Sequence, residues 1–383
     1  MSTLGVVFAG GGTGGHLFPA VAVLEALRKH DLRITVNFLC STREIDARIL
    51  RAQGVPFTPI PAQPMAMHPV RLARFAWRWG GAVRAARIEL QKMKTECDRL
   101  WVLATGGFVA APVVQAARAE RVEVLLLNQD APPGKANRWI ARHAERVFTT
   151  AEVERLGWER IPPVVRQVAV APGDAAECRR QLGLDPNRPV LFVTGASQGA
   201  QSLNEFLTAF VRTHTGFLQQ NGWQIIHQTG ATDNTSWQEA CAEAGIPAVV
   251  EQFFDAMGVC WGAADLAVSR AGAGSVAEAW ANRVPTVFLP YPYHRDEHQR
   301  YNAEPLARAG GAVIERDRIE MEANLASVGS HLLGLLDEPT KLAAMRKALA
   351  GLGPVDGADR LASELLGIPE DTRMRVQNQD SLR

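Results

Sequence analysis

Two stretches of this chain open in the same way: LGVVFAGGGTGGH from Leu4 and PVLFVTGASQGAQ from Pro189 each run from a short aliphatic segment into a glycine-bearing turn and then a helical pattern. A continuous apolar run of five or six residues needs cover on both faces, which is the condition of a strand in a parallel sheet. A helix after it supplies the crossover that such a sheet requires. Runs rich in Val, Ile, Leu and Phe alternate with helical patterns along nearly the whole sequence. They predict strands at 4–9, 36–40, 100–104 and 123–129, with helices such as 20–30 and 42–52 between them. After a less regular, proline-containing stretch (158–189), the pattern restarts with strands at 190–194, 224–228, 248–251, 266–269 and 286–289. The fold class is therefore α/β, with two units each built on a parallel sheet.

Length agrees, since 383 residues exceed what one ordinary core accommodates. The 41 basic and 40 acidic residues nearly cancel, so the chain carries no global electrostatic footprint for nucleic acid, and none is expected as a partner. Five scattered cysteines without a C-x-x-C pair fit a reducing compartment better than a disulfide framework. The N-terminal apolar run stops at glycines before reaching the length of a signal-peptide core, and no apolar run reaches the roughly 20 residues of a spanning helix. The polar stretch 370–383 reads as a frayed tail.

Three polar clusters can carry chemistry, and each has an ordinary structural reading. At Gly10–Gly15 the absence of side chains lets backbone N–H groups and a helix N-terminus, placed at Pro19–Ala20, approach an anion such as a diphosphate; the same glycines also suit close helix–sheet packing. His16 at the exit is a candidate base, because imidazoles as a class titrate near neutrality, or a residue that merely closes the turn. At Ser269–Glu278, Ser275 and Glu278 have the spacing of a capping box, while a helix N-terminus opened by Gly272 and Gly274 would take a phosphate, with Glu278 on both hydroxyls of a ribose. The third cluster, Asp296–Gln299 with Asn302 on the same helical face, follows a strand end, where open parallel sheets bind ligands; a solvated helix start looks similar. No metal-ligand spacing occurs, so neither a metal nor another cofactor is expected.

A fourth segment, 65–88, differs in kind. Leu72, Phe75 and Trp79 recur at helical spacing beside Arg71, Arg74 and Arg78, with no acid before Glu89. That is a basic amphipathic helix suited to an anionic membrane surface, weakened by Gly80–Gly81 at roughly 1 kcal/mol per glycine; a helix packed on its own sheet with arginines outward is the alternative.

Taken in order, AGGGTGGHLFPA, ATGGFVAAPV, VTGASQGAQSLNE, SRAGAGSVAEAW and LPYPYHRDEHQRYNAEPL closely resemble the MurG-type UDP-N-acetylglucosamine:lipid I transferases of peptidoglycan synthesis, over nearly the whole chain. The resemblance implies a GT-B architecture, two Rossmann-like parallel-sheet domains facing a cleft. Residues 1–163 would form an acceptor- and membrane-facing domain, with a helix at 354–367 packing back on it, and 164–353 a UDP-sugar-binding domain; 368–383 would be tail. It implies an inverting transfer from UDP-GlcNAc to a polyprenyl-diphosphate-linked MurNAc-peptide, at the cytoplasmic face of the inner membrane, by a peripheral enzyme. Ser197, Gln198, Phe254 and Ala273, Gly274, Ser275, Val276, Ala277 and Glu278 would hold the nucleotide sugar, with His298 and Gln299 near the GlcNAc. Thr13, Gly14, Gly15 and His16 would close over the reacting centre, with His16 catalytic, Asp130 on a sugar and Arg166 on the diphosphate. Arg71, Leu72, Arg74, Phe75, Arg78 and Trp79 would face the membrane.

The chain also departs from that pattern. Leu127-Asn128-Gln129-Asp130 stands where the family usually reads H-E-Q-N, and Phe108 stands where Tyr is common. Gly274 replaces a bulkier residue, and Pro163-Val164-Val165-Arg166 is displaced by one. Other readings are a UDP-sugar:lipid transferase with a different acceptor such as a diacylglycerol, a UDP-GlcNAc 2-epimerase, and an inactive UDP-sugar-binding homologue.

Overall fold

The structure is a computed structural model that describes residues 3–30, 33–64, 69–153, 157–195, 200–230, 235–294 and 296–369, without the side chains of 69–74, 76, 77, 235 and 236. The chain divides into two compact units, one running to Arg166 and resuming at Asp356, the other spanning Gln167–Val355. Arg166 thus belongs to the first unit.

The first unit is built on β1 (Leu4–Gly10), β2 (Ile34–Ser41), β3 (Phe57–Ile60), β4 (Arg99–Gly106), β5 (Glu123–Asn128), β6 (Arg146–Thr149) and β7 (Trp158–Arg160). All pair in parallel, in the order β3-β2-β1-β4-β5-β6-β7. Its helices are α1 (Gly14–Arg28), α2 (Glu44–Ala52), α3 (Pro69–Glu96), α4 (Gly107–Ala119) and α5 (Lys135–Ile140). Every residue of β1 is buried, and its alternation feeds two cores. Val6 and Phe8 pack with α1, whereas Val7 and Ala9 pack with α3 and α4.

The second unit holds β8 (Val190–Thr194), β9 (Gln224–Gln228), β10 (Ala248–Glu251), β11 (Leu266–Ser269), β12 (Thr286–Phe288) and β13 (Ala312–Ile314), in the parallel order β10-β9-β8-β11-β12-β13. Around it lie α6 (Ala175–Gln181), α7 (Gln201–Thr213), α8 (Thr215–Gln220), α9 (Thr235–Glu243), α10 (Met257–Ala263), α11 (Ala273–Ala281), α12 (His298–Arg308), α13 (Met321–Asn324), α14 (Ser330–Leu336) and α15 (Pro339–Ala350).

The last helix, α16 (Gly357–Leu366), joins the first unit. Ala358, Leu361, Ala362 and Leu365, at i, i+3, i+4 and i+7, enter the core beside α1. Gly357 begins it because a Cβ there would lie 2.0 Å from the Pro162 carbonyl oxygen.

Four strands escaped the sequence reading: β3, β6, β7 and β13, all of three or four residues. Runs that short carry no resolvable period. β7 and α6 fall within the stretch read as irregular. All five cysteines are free, and four are buried.

In both sheets the strand order reverses at one place, between β1 and β4 and between β8 and β11. Loops at the carboxyl ends of those strands diverge there, which is where open parallel sheets accept ligands.

His227, on β9, is fully buried beside the Trp237 ring, with ring centroids 4.1 Å apart, and its Nε2 lies 3.1 Å from Asn204 Oδ1. Burial pushes its pKa down from 6.5 to about 3. The unfolded chain therefore takes up a proton at this residue below about pH 6.5 while the folded chain does not, so stability falls with pH over the window from about 6.5 to 3. Urea unfolding at pH 7.5 and 5.5 should show a loss in wild type exceeding that in His227→Gln by about 1 kcal/mol. Equal losses would show that His227 is not held neutral.

Candidate active site

The chain leaves β1 through Gly11 (φ +152°) and Gly12 (φ +91°) and enters α1 at Gly14, not at Pro19–Ala20. Pro19 mimics a first-turn proline, but it sits inside a helix that the glycine turn has already begun. Thr13 is the N-cap without a side-chain cap bond, so its hydroxyl does not close the first turn of α1.

His16 is half-buried, and its Nδ1 lies 3.2 Å from the Thr105 carbonyl oxygen. A carbonyl only accepts, so Nδ1 carries the hydrogen of this contact and, in the neutral ring, Nε2 is the nitrogen that accepts. The Thr105 hydroxyl in turn donates to the His16 carbonyl, at 2.6 Å. Gly106 (φ +105°) and Gly107 (φ +78°) make the slot for the ring: a Cβ on Gly107 would stand 2.6 Å from the Gly11 carbonyl oxygen and 3.0 Å from His16 Cδ2. Two glycine turns, after β1 and β4, thus build one imidazole site. The sequence reading named His16 and missed Thr105 and the slot, because residues 89 apart in sequence show no periodic link.

Beside them, the buried Asn128 side chain donates to the Asp130 carbonyl (2.9 Å) and to Thr149 Oγ1 (3.2 Å), and it accepts from Asn137 Nδ2 (3.0 Å). Leu127 belongs to the core, Gln129 is buried, and Asp130 is half-exposed. Of the three departures in this segment, at Leu127, Asn128 and Asp130, Asp130 alone is open to solvent. Arg166 is buried with its guanidinium carbon 3.7 Å from the centroid of the Phe18 ring, so α1 also orients this cation.

In the second unit, Ser197 and Gln198 lie outside the described residues. α11 starts at Ala273 with Gly272 as its N-cap, which removes the capping-box reading: Ser275 is the third helical residue, and Glu278 lies too far along to reach back to the cap. Glu278 is held differently, its Oε2 accepting from the indole N–H of the buried Trp261 at 2.9 Å. Ala273 and Ser275 are half-exposed, Gly274 is exposed with nothing within 4 Å of a Cβ position, and Val276 and Ala277 are buried. Among the described residues nothing crowds this first turn, which has no side-chain cap. The Phe254 amide donates to Gln228 Oε1 (3.1 Å), and Gln228 Nε2 donates to Thr194 (3.4 Å), tying the ends of β8 and β9 to the chain after β10.

Arg270 organises this edge. Its guanidinium donates to the Leu289 carbonyl (2.9 Å) and to Ser202 Oγ (2.9 Å), and it pairs with Asp317 at 2.7 Å. Both charges are buried. Burial alone would raise the Asp317 carboxyl, but hydrogen bonds from Asn324 and Ser202, with the Arg270 charge, hold it below the usual carboxylate range. Loops after β8, β11, β12 and β13 meet in this one network.

α12 begins at His298, so Asp296 and Glu297 precede the helix and share no helical face with Asn302. His298 Nδ1 and Asp296 Oδ1 are 2.8 Å apart, and this contact lowers the Asp296 pKa. Gln299 Oε1 accepts from the Tyr291 amide, at 2.9 Å, folding the loop back on the helix start. Among the described residues no group of His, Cys, Asp or Glu is placed to hold a metal ion.

α3 is continuous through Gly80–Gly81, since Trp79, Ala82, Val83, Ala86, Leu90 and Met93 form one core-facing stripe across the glycines. The Trp79 indole donates to Gln115 and its ring meets Trp139 edge-on at 6.4 Å. It therefore belongs to the packed side of the helix rather than to an outward anchor. Phe75, half-buried, lies 5.5 Å from it. The side chains of Arg71, Leu72 and Arg74 lie outside the described residues, and Arg78 is half-buried. No described helix is long and apolar enough to cross a membrane.

Residues 6–149 match the glycosyltransferase family 28 N-terminal domain and residues 190–361 the family 28 C-terminal domain. The chain is 35% identical over 369 residues to the UDP-N-acetylglucosamine–N-acetylmuramyl-(pentapeptide) pyrophosphoryl-undecaprenol N-acetylglucosamine transferase of Nocardioides sp. strain JS614, covering 94% of this chain and 97% of that protein. It is 34% identical to the protein of that name from Streptomyces coelicolor, covering 93% and 96%. Among solved structures it resembles Acinetobacter baumannii MurG, with TM-score 0.73 and 25% identity over 96% of this chain and 100% of that one. With two parallel α/β units of the GT-B type and relatives matched over nearly their full length, the chain belongs to the MurG family of glycosyltransferases.

Proposed function

We propose that this protein is an inverting glycosyltransferase that moves GlcNAc from UDP-GlcNAc to the C4 hydroxyl of N-acetylmuramic acid in lipid I, forming lipid II for peptidoglycan synthesis. The observation that carries this reading is kinship across nearly the whole chain with transferases named for that reaction. The acceptor hydroxyl attacks C1 of the sugar from the face opposite UDP, the C1–O bond to the diphosphate breaks, and UDP leaves. His16 Nε2 takes the hydroxyl proton; the Thr105 contact at Nδ1 supports this role because it reserves Nε2 for accepting. The charge that develops on the diphosphate meets backbone N–H groups at uncapped helix starts and the Arg166 guanidinium. Glu278 takes the ribose hydroxyls, and Ser197, Gln198, Phe254 and residues 273–277 line the rest of the nucleotide site, with His298 and Gln299 toward the sugar. Asp130 contacts a sugar on the acceptor side. The enzyme works as a peripheral protein on the cytoplasmic face of the inner membrane, with the arginine-bearing side of α3 on anionic lipid.

Incubation with radiolabelled UDP-GlcNAc and a short-chain lipid I analogue tests the reaction. Disaccharide-lipid product is expected; formation of the 2-epimer of UDP-GlcNAc, or binding without turnover, would replace this reading by the epimerase or the inactive homologue.

Glu278→Ala should weaken UDP binding ten- to a hundredfold, since a charge-assisted contact is worth roughly 1.5–3 kcal/mol. The helix should persist because its N-cap position is Gly272 and Glu278 takes no part in closing its first turn. Unchanged UDP affinity by calorimetry alongside a lowered melting temperature would reduce Glu278 to a partner of Trp261.

His16→Ala should lower kcat by roughly 10² to 10⁴ with little change in UDP-GlcNAc affinity, whereas Asp130→Asn should stay within about tenfold of wild type. The opposite ranking in steady-state kinetics would make Asp130 the base.

Reversing Arg71, Arg74 and Arg78 to Glu should abolish sedimentation with anionic vesicles at low salt and leave UDP binding intact. A wild-type chain that ignores such vesicles would remove the membrane assignment.

A further inference from the structure

We propose that Asp46 and Arg43, at the start of α2, are positioning residues for the His16 turn, a role that rests on the transfer reading above. They hold both backbone polar groups of Gly12. Asp46 Oδ2 accepts from the Gly12 amide at 2.7 Å, and Arg43 Nη1 donates to the Gly12 carbonyl at 2.8 Å. Gly11 and Gly12 are the two residues of the turn whose backbone is least restricted by its own sterics, so their conformation must be imposed from outside. Thr13 and His16 follow directly, and the direction in which α1 starts is set where the Gly12 peptides are pinned.

The contact reaches well beyond α2. Asp46 is fully buried, and its Oδ2 also accepts from the Ser41 amide (2.9 Å) and hydroxyl (2.6 Å), while Oδ1 has no partner among the described residues. A carboxylate buried with one oxygen satisfied three times and the other not at all is an expensive way to finish a strand–helix turn, for which the Ser41 bonds alone would serve. The 34-residue reach to Gly12 is what those local bonds leave unexplained. A Cβ on Gly11 would stand 2.4 Å from Asp46 Oδ2, so the glycine is the counterpart of this carboxylate. Arg43 closes the other side: its guanidinium lies 5.3 Å from the Phe108 ring centroid, and Phe108 Cε1 would be 2.7 Å from a Cβ on Gly12. Turns after β1, β2 and β4 are thereby locked together around one residue.

The test compares Asp46→Ala, Asp46→Asn, Arg43→Ala and Ser41→Ala in steady-state transfer, in UDP calorimetry and in exchange of the Gly12 amide followed by NMR. Asp46→Ala and Arg43→Ala should lower kcat by about ten- to a hundredfold while KM for UDP-GlcNAc and Kd for UDP stay within about twofold. Asp46→Asn, which keeps an oxygen for the Gly12 amide, should recover most of the loss. Ser41→Ala, which removes only local bonds, one donated to Asp46 and one accepted from the Arg43 amide, and leaves both contacts to Gly12 in place, should stay within about threefold of wild type. The Gly12 amide should exchange faster in Asp46→Ala. If kcat in both Arg43→Ala and Asp46→Ala is within threefold of wild type, or if Ser41→Ala falls as far as Asp46→Ala, the inference is wrong. Should Asp46→Ala not fold, Arg43→Ala decides alone, because that side chain is exposed. A wild-type chain that transfers nothing overturns the proposed function instead; the Gly12 amide then decides the clamp, upheld by faster exchange in the variants and overturned by unchanged exchange.

Discussion

A parallel strand buried on both faces delivers its chain to the carboxyl edge of the sheet with N–H and C=O groups that the neighbouring strands no longer satisfy. Both units of this protein meet that constraint, and their candidate sites are the means by which they meet it. In the first, Asp46, Arg43 and Thr105 take up the backbone of the β1 turn; in the second, the Arg270 guanidinium takes the carbonyl at the end of β12 and ties it to Ser202 and Asp317. Breaking a buried pair of the Arg270–Asp317 kind costs about 3–5 kcal/mol, because it strands an uncompensated charge. The groups that close the fold at this edge are therefore the ones that fix the geometry presented to a ligand.

The two sites use glycine for different purposes. Gly106 and Gly107 are there to be small: side chains at either position would collide with the His16 ring, with Asn137 or with the Gly11 carbonyl. Among the described residues nothing lies within 4 Å of a Cβ on Gly272 or Gly274, and the helix start they open has no side-chain cap. The first arrangement orients an imidazole, as the proposed base requires; the second suits approach by an anion, as the proposed nucleotide site requires.

Where two readings of the sequence stood open, tertiary packing chose between them. Ser275 and Glu278 match a capping box in spacing, yet the strand–turn geometry starts α11 two residues before Ser275, and the Trp261 indole bonds the carboxylate. Trp79 sits in a stripe that also reads as outward-facing, yet it packs on the same core as Ala82, Ala86 and Leu90. The glycines at 80 and 81 did not break α3, because the apolar face on either side of them is buried against the same core.

Much of the fold was legible in the residues alone, since long apolar runs alternating with helical patterns admit few arrangements other than parallel sheets, and two glycine turns after two such runs mark two units. β8, β9, β10 and β11 have the bounds expected from the sequence. His16 and Glu278 stand out by residue type and by their place beside those turns. What surrounds them became visible only in three dimensions: Thr105 against His16, Trp261 against Glu278, Asp46 and Arg43 against Gly12, and Asp317 against Arg270 are separated by 17 to 89 residues of sequence. The sequence determines the elements because backbone period and side-chain burial are local properties. The partners of each polar group were decided by the tertiary structure, because a buried donor or acceptor bonds whatever the sheet order brings within about 3 Å, and chain distance has no part in that choice.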